Sequence, residues 1–432
     1  MSTTTRHAGA TGPARAPLRH NMLAMYALQI ANYAIPLVTL PYLIRVLGAE
    51  GYGAMAAAYA VVFFMVLFVD AGTNTLATRR LARPQIDLQS IRRIFAATQW
   101  IKLVQCAAMA VLLLGLIRFV PAIGEAKALY LATLPLLLGS LLFPTWLFQG
   151  LEVMHFTTVC SVGGRLLATL AIFACVREPG DVVIAALLQA SATALSGLLA
   201  LPLLFGRVGV TLRVPQRRLY HEIRRTLGDA RALAPAEFLT HAVANSGVFV
   251  LGLFANDAAV GVYAAVEKVA RAGASVFQPL TKALFPGIAG GWMTAATDTG
   301  VRCRAWTRRI LLLAVLAAGT LWALAPWGLE TMFGPGWAAH ATLLRLLAVW
   351  LVASVAATVV GQFWLLARGD RRRYTLCLLG SGLLQLGASL VAAQHFGAHG
   401  LVGAWLAAEL IRLSVFALAT RRPDQGVSQC AS

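Results

Sequence analysis

Between residues 258 and 286 an apolar run is interrupted by Glu267, Arg271, Ser275, Gln278 and Lys282. At about 100° per residue these five fall near 0°, 40°, 80°, 20° and 60° of a helical wheel, one narrow polar stripe. The stripe extends for about 22 Å, most of the hydrocarbon thickness of a bilayer. An ionised side chain facing lipid costs about 2.5–3.5 kcal/mol or more, so such a stripe turns toward a polar interior. Glu267 and Arg271 stand four residues apart and can pair, which leaves Lys268 and Lys282 as surplus positive charge. Residues of these types at this spacing either bind an anion or lock helices together. They point to transport rather than covalent chemistry.

Charges of the same kind recur in other apolar runs: Lys102, Arg165, Arg345 and Arg412, with Asp70, Glu237 and Glu409 as acidic companions. Arg165 and Lys102 sit about 12 Å from the nearer helix end, so each either faces the interior or snorkels out. The first apolar run carries Gln29, Asn32, Tyr33, Pro36 and Thr39 broadly on one face. Pro36 and Pro41 remove backbone donors there and predict a kink. Buried cations outnumber buried anions, which favours an anionic substrate. The sequence has no phosphate-cradling GxxxxGK[ST] loop, no zinc motif and no loop long enough for a nucleotide-binding domain, so no cofactor or metal is expected. The six cysteines are scattered without a CxxC and read as small buried hydrophobes.

The elements that must hold these residues are membrane spans. Hydrophobic residues make up 59% of the 432 and charged residues 12%, with a mean hydropathy of +0.73. A soluble surface needs about twice that charge, and the apolar runs are continuous rather than alternating, which excludes a membrane β-barrel. On a scale of roughly 20 apolar residues per span, twelve are predicted, near 22–46, 54–76, 94–118, 128–149, 157–176, 182–205, 233–255, 258–286, 306–327, 341–366, 374–394 and 401–419. The first run, Met22–Leu47, is too long for a signal-peptide core and should remain as an anchor.

Charge in the loops orients these spans. Of the 36 lysines and arginines, 25 fall in the two tails and the even-numbered loops, and four (Arg45, Arg118, Lys127, Arg177) fall in the odd-numbered loops and helix ends. The remaining seven lie within spans. This is the positive-inside signature, with both termini cytoplasmic. It accounts for the formal charge of +19 without nucleic acid. The run Arg207, Arg217, Arg218, Arg224, Arg225 and Arg231 would meet anionic membrane lipids.

That run also divides the chain. Gly53–Ala54–Met55–Ala56–Ala57 is echoed by Gly261–Val262–Tyr263–Ala264–Ala265, and Trp146–Leu147 followed by Phe156–Thr157 by Trp364–Leu365 followed by Tyr374–Thr375. The expected architecture is an all-α polytopic membrane protein, about twelve transmembrane helices in two pseudo-symmetric six-helix bundles around a central cavity. The expected boundaries are a disordered tail (1–20), an N-terminal bundle (21–205), a basic linker (206–232), a C-terminal bundle (233–420) and a second tail (421–432).

Four patches carry a family likeness. The first contains Asn21, Tyr26, Gln29, Asn32, Pro36, Pro41–Tyr42–Leu43, Arg45, Leu47–Gly48, Glu50 and Tyr52–Gly53. The second is Asp70–Ala71–Gly72 with Ala77–Thr78–Arg79, and the third is Trp146–Leu147–Phe148–Gln149–Gly150–Leu151–Glu152. The fourth runs from Gly261–Val262–Tyr263 through Glu267–Lys268 to Phe285–Pro286. Together they resemble Wzx-type polysaccharide repeat-unit flippases, of the multidrug/oligosaccharidyl-lipid/polysaccharide exporter superfamily.

The resemblance implies movement of an undecaprenyl-diphosphate-linked glycan from the cytoplasmic to the periplasmic leaflet of the bacterial inner membrane. A polysaccharide polymerase and a chain-length regulator are the implied partners. The substrate-facing cations would be drawn from Arg45, Lys102, Arg165, Lys268, Arg271, Lys282, Arg345 and Arg412, with Gln29, Asn32, Ser275 and Gln278 as polar cavity residues. Asp70, Glu237, Glu267 and Glu409 are the candidates for ion coupling.

Other readings stay open from sequence. A drug or cation antiporter of the same superfamily would favour acidic cavity residues, and a lipid II flippase would carry two extra helices. A membrane polymerase or ligase would need a sizeable outer loop. If the stripe on the eighth span lines a cavity, cysteines at Arg271 and Gln278 will react with water-soluble thiol reagents faster than one at Phe277; equal rates would remove the cavity reading.

Overall fold

The computed structural model describes residues 18–84, 86–210 and 217–421; among them every regular element is a helix. The expected tails up to residue 17 and from residue 422, and the linker stretch 211–216, lie outside the described residues.

The first helix, α1 (Leu18–Asp70), contains a 40-residue apolar stretch, Ala31–Asp70. Straight, it would reach about 60 Å, twice the hydrocarbon thickness. It therefore turns at Gly48, at φ 74° and ψ 174°, a conformation that only glycine adopts at little cost. The last helix of the chain, Arg371–Arg421, turns in the same manner at Gly397, at φ 58° and ψ −140°.

Between them come α2 (Thr73–Leu81), α3 (Leu88–Phe119), α4 (Pro135–Leu142), α5 (Thr145–Gly150), α6 (Met154–Cys175) and α7 (Val182–Pro202). There follow α8 (Arg217–Ala244), α9 (Ser246–Gly252), α10 (Asp257–Ser275), α11 (Phe277–Thr294) and α12 (Ala296–Ala323). The series closes with α13 (Ala325–Phe333), α14 (Ala341–Val360) and α15 (Arg371–Arg421).

Among the described residues, eight stretches are long and apolar enough to cross a membrane. Two of them contain the glycine turns and cross twice. Residues 233–253, divided at Asn245, and 257–294, divided at Val276, supply two more. The protein is a multi-span membrane protein of about twelve spans.

Several expected spans are not continuous helices, and two of them are divided near a proline. The run 258–286 is divided at Val276, between α10 and α11. Pro279 has no N–H for the Ser275 carbonyl, so the ladder is interrupted there. The run 128–149 is divided at Phe143–Pro144, where α4 gives way to α5, for the same reason. Part of the expected linker is helical, because α8 begins at Arg217. Leu219, Thr226 and Ala230 of α8 are buried while Arg224, Arg225 and Arg231 are exposed, an amphipathic pattern.

The contacts group residues 18–36 with Ala58–His241 in one compact unit, and Leu37–Ala57 with residues 242–421 in another. In the first unit the second and third familiar patches meet. Ala77 and Leu81 of α2 pack with Trp146, Leu147 and Phe148 of α5, and the Thr78 hydroxyl donates to the Trp146 carbonyl at 3.2 Å. Arg80 secures α8 through Glu222 at 2.8 Å, Thr226 at 2.8 Å and Asp229 at 2.6 Å.

In the second unit the first and fourth patches meet. A Cβ on Gly53 would lie 1.7 Å from the Asp257 carbonyl oxygen, and one on Gly261 would lie 1.9 Å from that of Ala49. The two backbones touch because neither glycine has a side chain. Gly53→Ala or Gly261→Ala should therefore force the helices apart and cost about 1–3 kcal/mol or more. Gly115→Ala, with nothing within 4 Å of its Cβ, should leave stability unchanged or slightly raised. Thermal unfolding of the purified variants in detergent reads both outcomes.

Candidate functional site

In the first unit the charges converge on the end of α1. The helix stops at Asp70, and Gly72 takes a left-handed φ of 72°. Its N–H donates to Glu237 Oε2 of α8 at 2.8 Å, and a Cβ there would lie 2.7 Å from the Ala230 carbonyl oxygen. Asp70 Oδ1 accepts from Lys102 Nζ at 2.7 Å and from the Ser140 hydroxyl at 2.9 Å. Lys102 is 1% exposed. Its ammonium also donates to the Ser140 carbonyl at 3.3 Å.

That carbonyl is free for a local reason. In a continuous helix it would accept from residue 144, which is proline. The next carbonyl, of Leu141, loses its donor as well, because the Thr145 N–H turns to Phe143 at 2.9 Å; Gln99 Nε2 donates to it instead at 3.0 Å. Cys106 lies 3.6 Å from the Leu137 carbonyl. Gln99, Lys102 and Cys106 thus form one face of α3 bonded along α4.

In the second unit α10 organises the charges. Arg271 Nε donates to Glu267 Oε1 at 2.7 Å and its Nη2 to the Ala244 carbonyl at 2.6 Å. Its guanidinium lies 4.9 Å from the ring centroid of Trp405 and 5.8 Å from that of Trp350, within cation–π range. Lys268 Nζ donates to the Tyr52 hydroxyl at 2.6 Å. The Ser275 hydroxyl turns back on its own helix, donating to Ala272 at 2.7 Å. Gln278 and Lys282 are exposed on α11.

Arg45 donates to the Thr331 carbonyl, and Arg345 to that of Trp322 at 3.3 Å, with the Trp322 ring 4.6 Å away. Arg412 and Glu409 form an ion pair on α15. Arg165 is half-buried on α6, and Asn32 holds a buried side-chain oxygen with no partner among the described residues. The Gln29 side chain lies outside the described residues.

Five of the eight cations selected from sequence therefore sort by partner. Lys102, Arg271 and Arg412 are paired with carboxylates, whereas Arg45 and Arg345 rest on backbone carbonyls. Tyr52, Gln99, Ser140 and Arg80 were not singled out from sequence as site residues. For the α3–α4 contacts the signal was Pro144, a proline inside an apolar run that must release a carbonyl.

A family model described as polysaccharide biosynthesis protein matches residues 18–292. The chain belongs to this family. A protein of Escherichia coli (strain K12) named "Putative O-antigen transporter" is 30% identical over 274 residues, covering 63% of this chain and 65% of that relative's length. One of the same name from Shigella dysenteriae is 23% identical over 397 residues, 91% of this chain and 98% of the relative.

The fold is shared with a multidrug resistance MATE family transporter of the MOP superfamily in an inward-facing conformation, with a TM-score of 0.69 at 14% identity over 92% of this chain and 96% of that one. It is also shared with the lipid II flippase MurJ, with a TM-score of 0.67 at 10% identity over 94% and 88%. The stretch matched to the polysaccharide biosynthesis family ends at Trp292. It thus includes the Asp70–Lys102 and Glu267–Arg271 pairs, while Arg345, Glu409 and Arg412 lie beyond it.

The first-unit pair has an asymmetric consequence. Lys102 is buried, whereas the Asp70 side chain is 32% exposed. Asp70→Ala strands a buried ammonium; breaking a fully buried pair costs about 3–5 kcal/mol, less where water reaches one partner. Asp70→Ala should therefore destabilise more than Lys102→Met, and the double variant should recover part of the loss. A double-mutant cycle on thermal unfolding measures this.

Proposed function

We propose that this polysaccharide biosynthesis protein flips an undecaprenyl-diphosphate-linked oligosaccharide repeat unit from the cytoplasmic to the periplasmic leaflet by alternating access. The observation that carries this reading is the state of Arg45 and Arg345. A backbone carbonyl orients a guanidinium but does not neutralise it. The second unit thus holds two positioned cations whose charge no carboxylate cancels among the described residues, suited to the bidentate recognition of phosphate oxygens. The names borne by the curated relatives support a saccharide cargo.

In this proposal Lys268 and Lys282 add positive charge along α10 and α11, and Arg165 does so in the first unit. Asp70, Glu237, Glu267 and Glu409 are the groups that would carry a coupling ion. The distribution of lysine and arginine supports an inner-membrane protein with both termini cytoplasmic, in contact with anionic lipids. Its product would pass to a polysaccharide polymerase and a chain-length regulator.

Deleting the protein in a strain without a second flippase should abolish surface polysaccharide and leave lipid-linked repeat units in the cytoplasmic leaflet. Normal surface polysaccharide in that strain would overturn the proposal. Restoring the chain as Arg45→Gln/Arg345→Gln should lower export by about tenfold or more, since hydrogen bonds to charged groups are worth about 1.5–3 kcal/mol. Membrane levels of the variant, read by immunoblot, should match those of the wild type.

A further inference from the structure

On α12 a groove of about 370 Å³ is lined by Arg304, Thr307, Arg308, Leu311, Leu312 and Val315, with Trp364 at its side. On a helical wheel Arg304, Arg308, Leu311 and Val315 fall near 0°, 40°, −20° and 20°, one straight line about 16 Å long. Thr307 and Leu312 flank it. Two cations and a hydroxyl therefore occupy one end of the line and branched aliphatic side chains the other. The Trp364 indole lies 3.5 Å from the Thr307 hydroxyl oxygen, and a third cation, Arg368, stands 5.3 Å from the Trp364 ring centroid.

The groove opens on a helix face turned outward. Only 17% of the most apolar stretch of α12 is buried inside the protein, and Leu312, Leu313, Val315 and Leu316 are all more than half exposed. In a membrane such a face meets acyl chains. A tryptophan beside arginines at the end of a span is the usual composition of the headgroup level, and basic pockets at that level hold anionic headgroups. None of these residues takes part in the charge clusters on α10, α14 or α15 described above.

We infer that this groove, walled almost wholly by carbon, is a site for one anionic glycerophospholipid, one acyl chain laid along Leu311, Leu312 and Val315 and the phosphate at its edge by Arg304, Arg308 and Thr307. The phosphate diester carries a single negative charge on two oxygens, which two guanidiniums can hold between them. The aliphatic half of the line makes a free phosphate an incomplete occupant. A phosphatidylcholine presents the same phosphate with a quaternary ammonium beside it, which the arginines repel, so its net attraction is weaker.

Native mass spectrometry of the purified full chain tests the site, with phosphatidylglycerol, phosphatidylcholine, undecaprenyl phosphate and inorganic phosphate as probes. Wild type should retain phosphatidylglycerol at least about fivefold better than phosphatidylcholine. Arg304→Gln/Arg308→Gln should reduce this to the phosphatidylcholine level. Arg302→Gln/Arg309→Gln, which removes two arginines about 140–160° around the same helix, should not. Val315→Trp fills the tail half with the charges intact, and should also lower retention.

Equal retention of the two phospholipids, or equal loss in both arginine variants, would overturn the inference. Displacement of phosphatidylglycerol by inorganic phosphate would show a free-anion site instead. Displacement by equimolar undecaprenyl phosphate would show a cargo site. Loss of surface polysaccharide export is a separate readout, so the proposed transport and this lipid site stand or fall independently.

Discussion

Hydrocarbon offers no water, so a carbonyl released from a helix must find another donor within the protein. In the first unit that requirement originates at Pro144. Its missing N–H leaves the Ser140 carbonyl open, and the disturbed turn leaves that of Leu141 open. Lys102 and Gln99 answer them. A lysine used in this way brings a charge that must itself be balanced, and Asp70 balances it. Asp70 in turn ends α1, and two residues later Gly72 gives its N–H to Glu237. One absent proton donor is thus felt through α4, α3, α1 and α8.

The second unit meets its constraints differently. Glycines bring the backbones of α1 and α10 into contact, and the polar groups are arranged around that crossing. Tyr52, adjacent to Gly53, receives Lys268 from the helix that carries Gly261. Arg271 is held by a carboxylate, a carbonyl and two indole rings together. Its positive charge is thereby spent within the protein. Arg45 and Arg345, resting on carbonyls, keep theirs. A cation that is balanced and one that is only positioned thus differ in the net charge they leave in the second unit, whatever hydrogen bonds each makes.

The fold class was legible because hydrocarbon thickness and loop charge impose simple periods and counts. The twelve spans needed only run lengths and the placement of arginine. The pairing of Glu267 with Arg271 was also legible, since four residues on a helix is a local spacing. What joins distant segments was not. Lys268 and Tyr52 are 216 positions apart, and Lys102 and Ser140 are 38 apart; no periodicity relates either pair. Lys102 reads from sequence as a candidate to face substrate or to snorkel, because an isolated lysine in an apolar run gives no sign of its partner. Pro144 was the overlooked cue, and like Pro279 it cuts a span whose hydropathy reads as continuous.

The turns at Gly48 and Gly397 bear on how long each span can be. Each joins two spans without an intervening loop, so the first apolar stretch is 40 residues long and the last 50. Arg45 and Glu50 flank the first glycine, and Gln394, His395 and His399 the second, so the polar residues that mark the membrane surface sit within the helix itself. No spare chain stands between the two halves to absorb a change in length. A single residue inserted in either half would therefore move those polar groups against the bilayer surface, so span length and surface register are tied together at both turns.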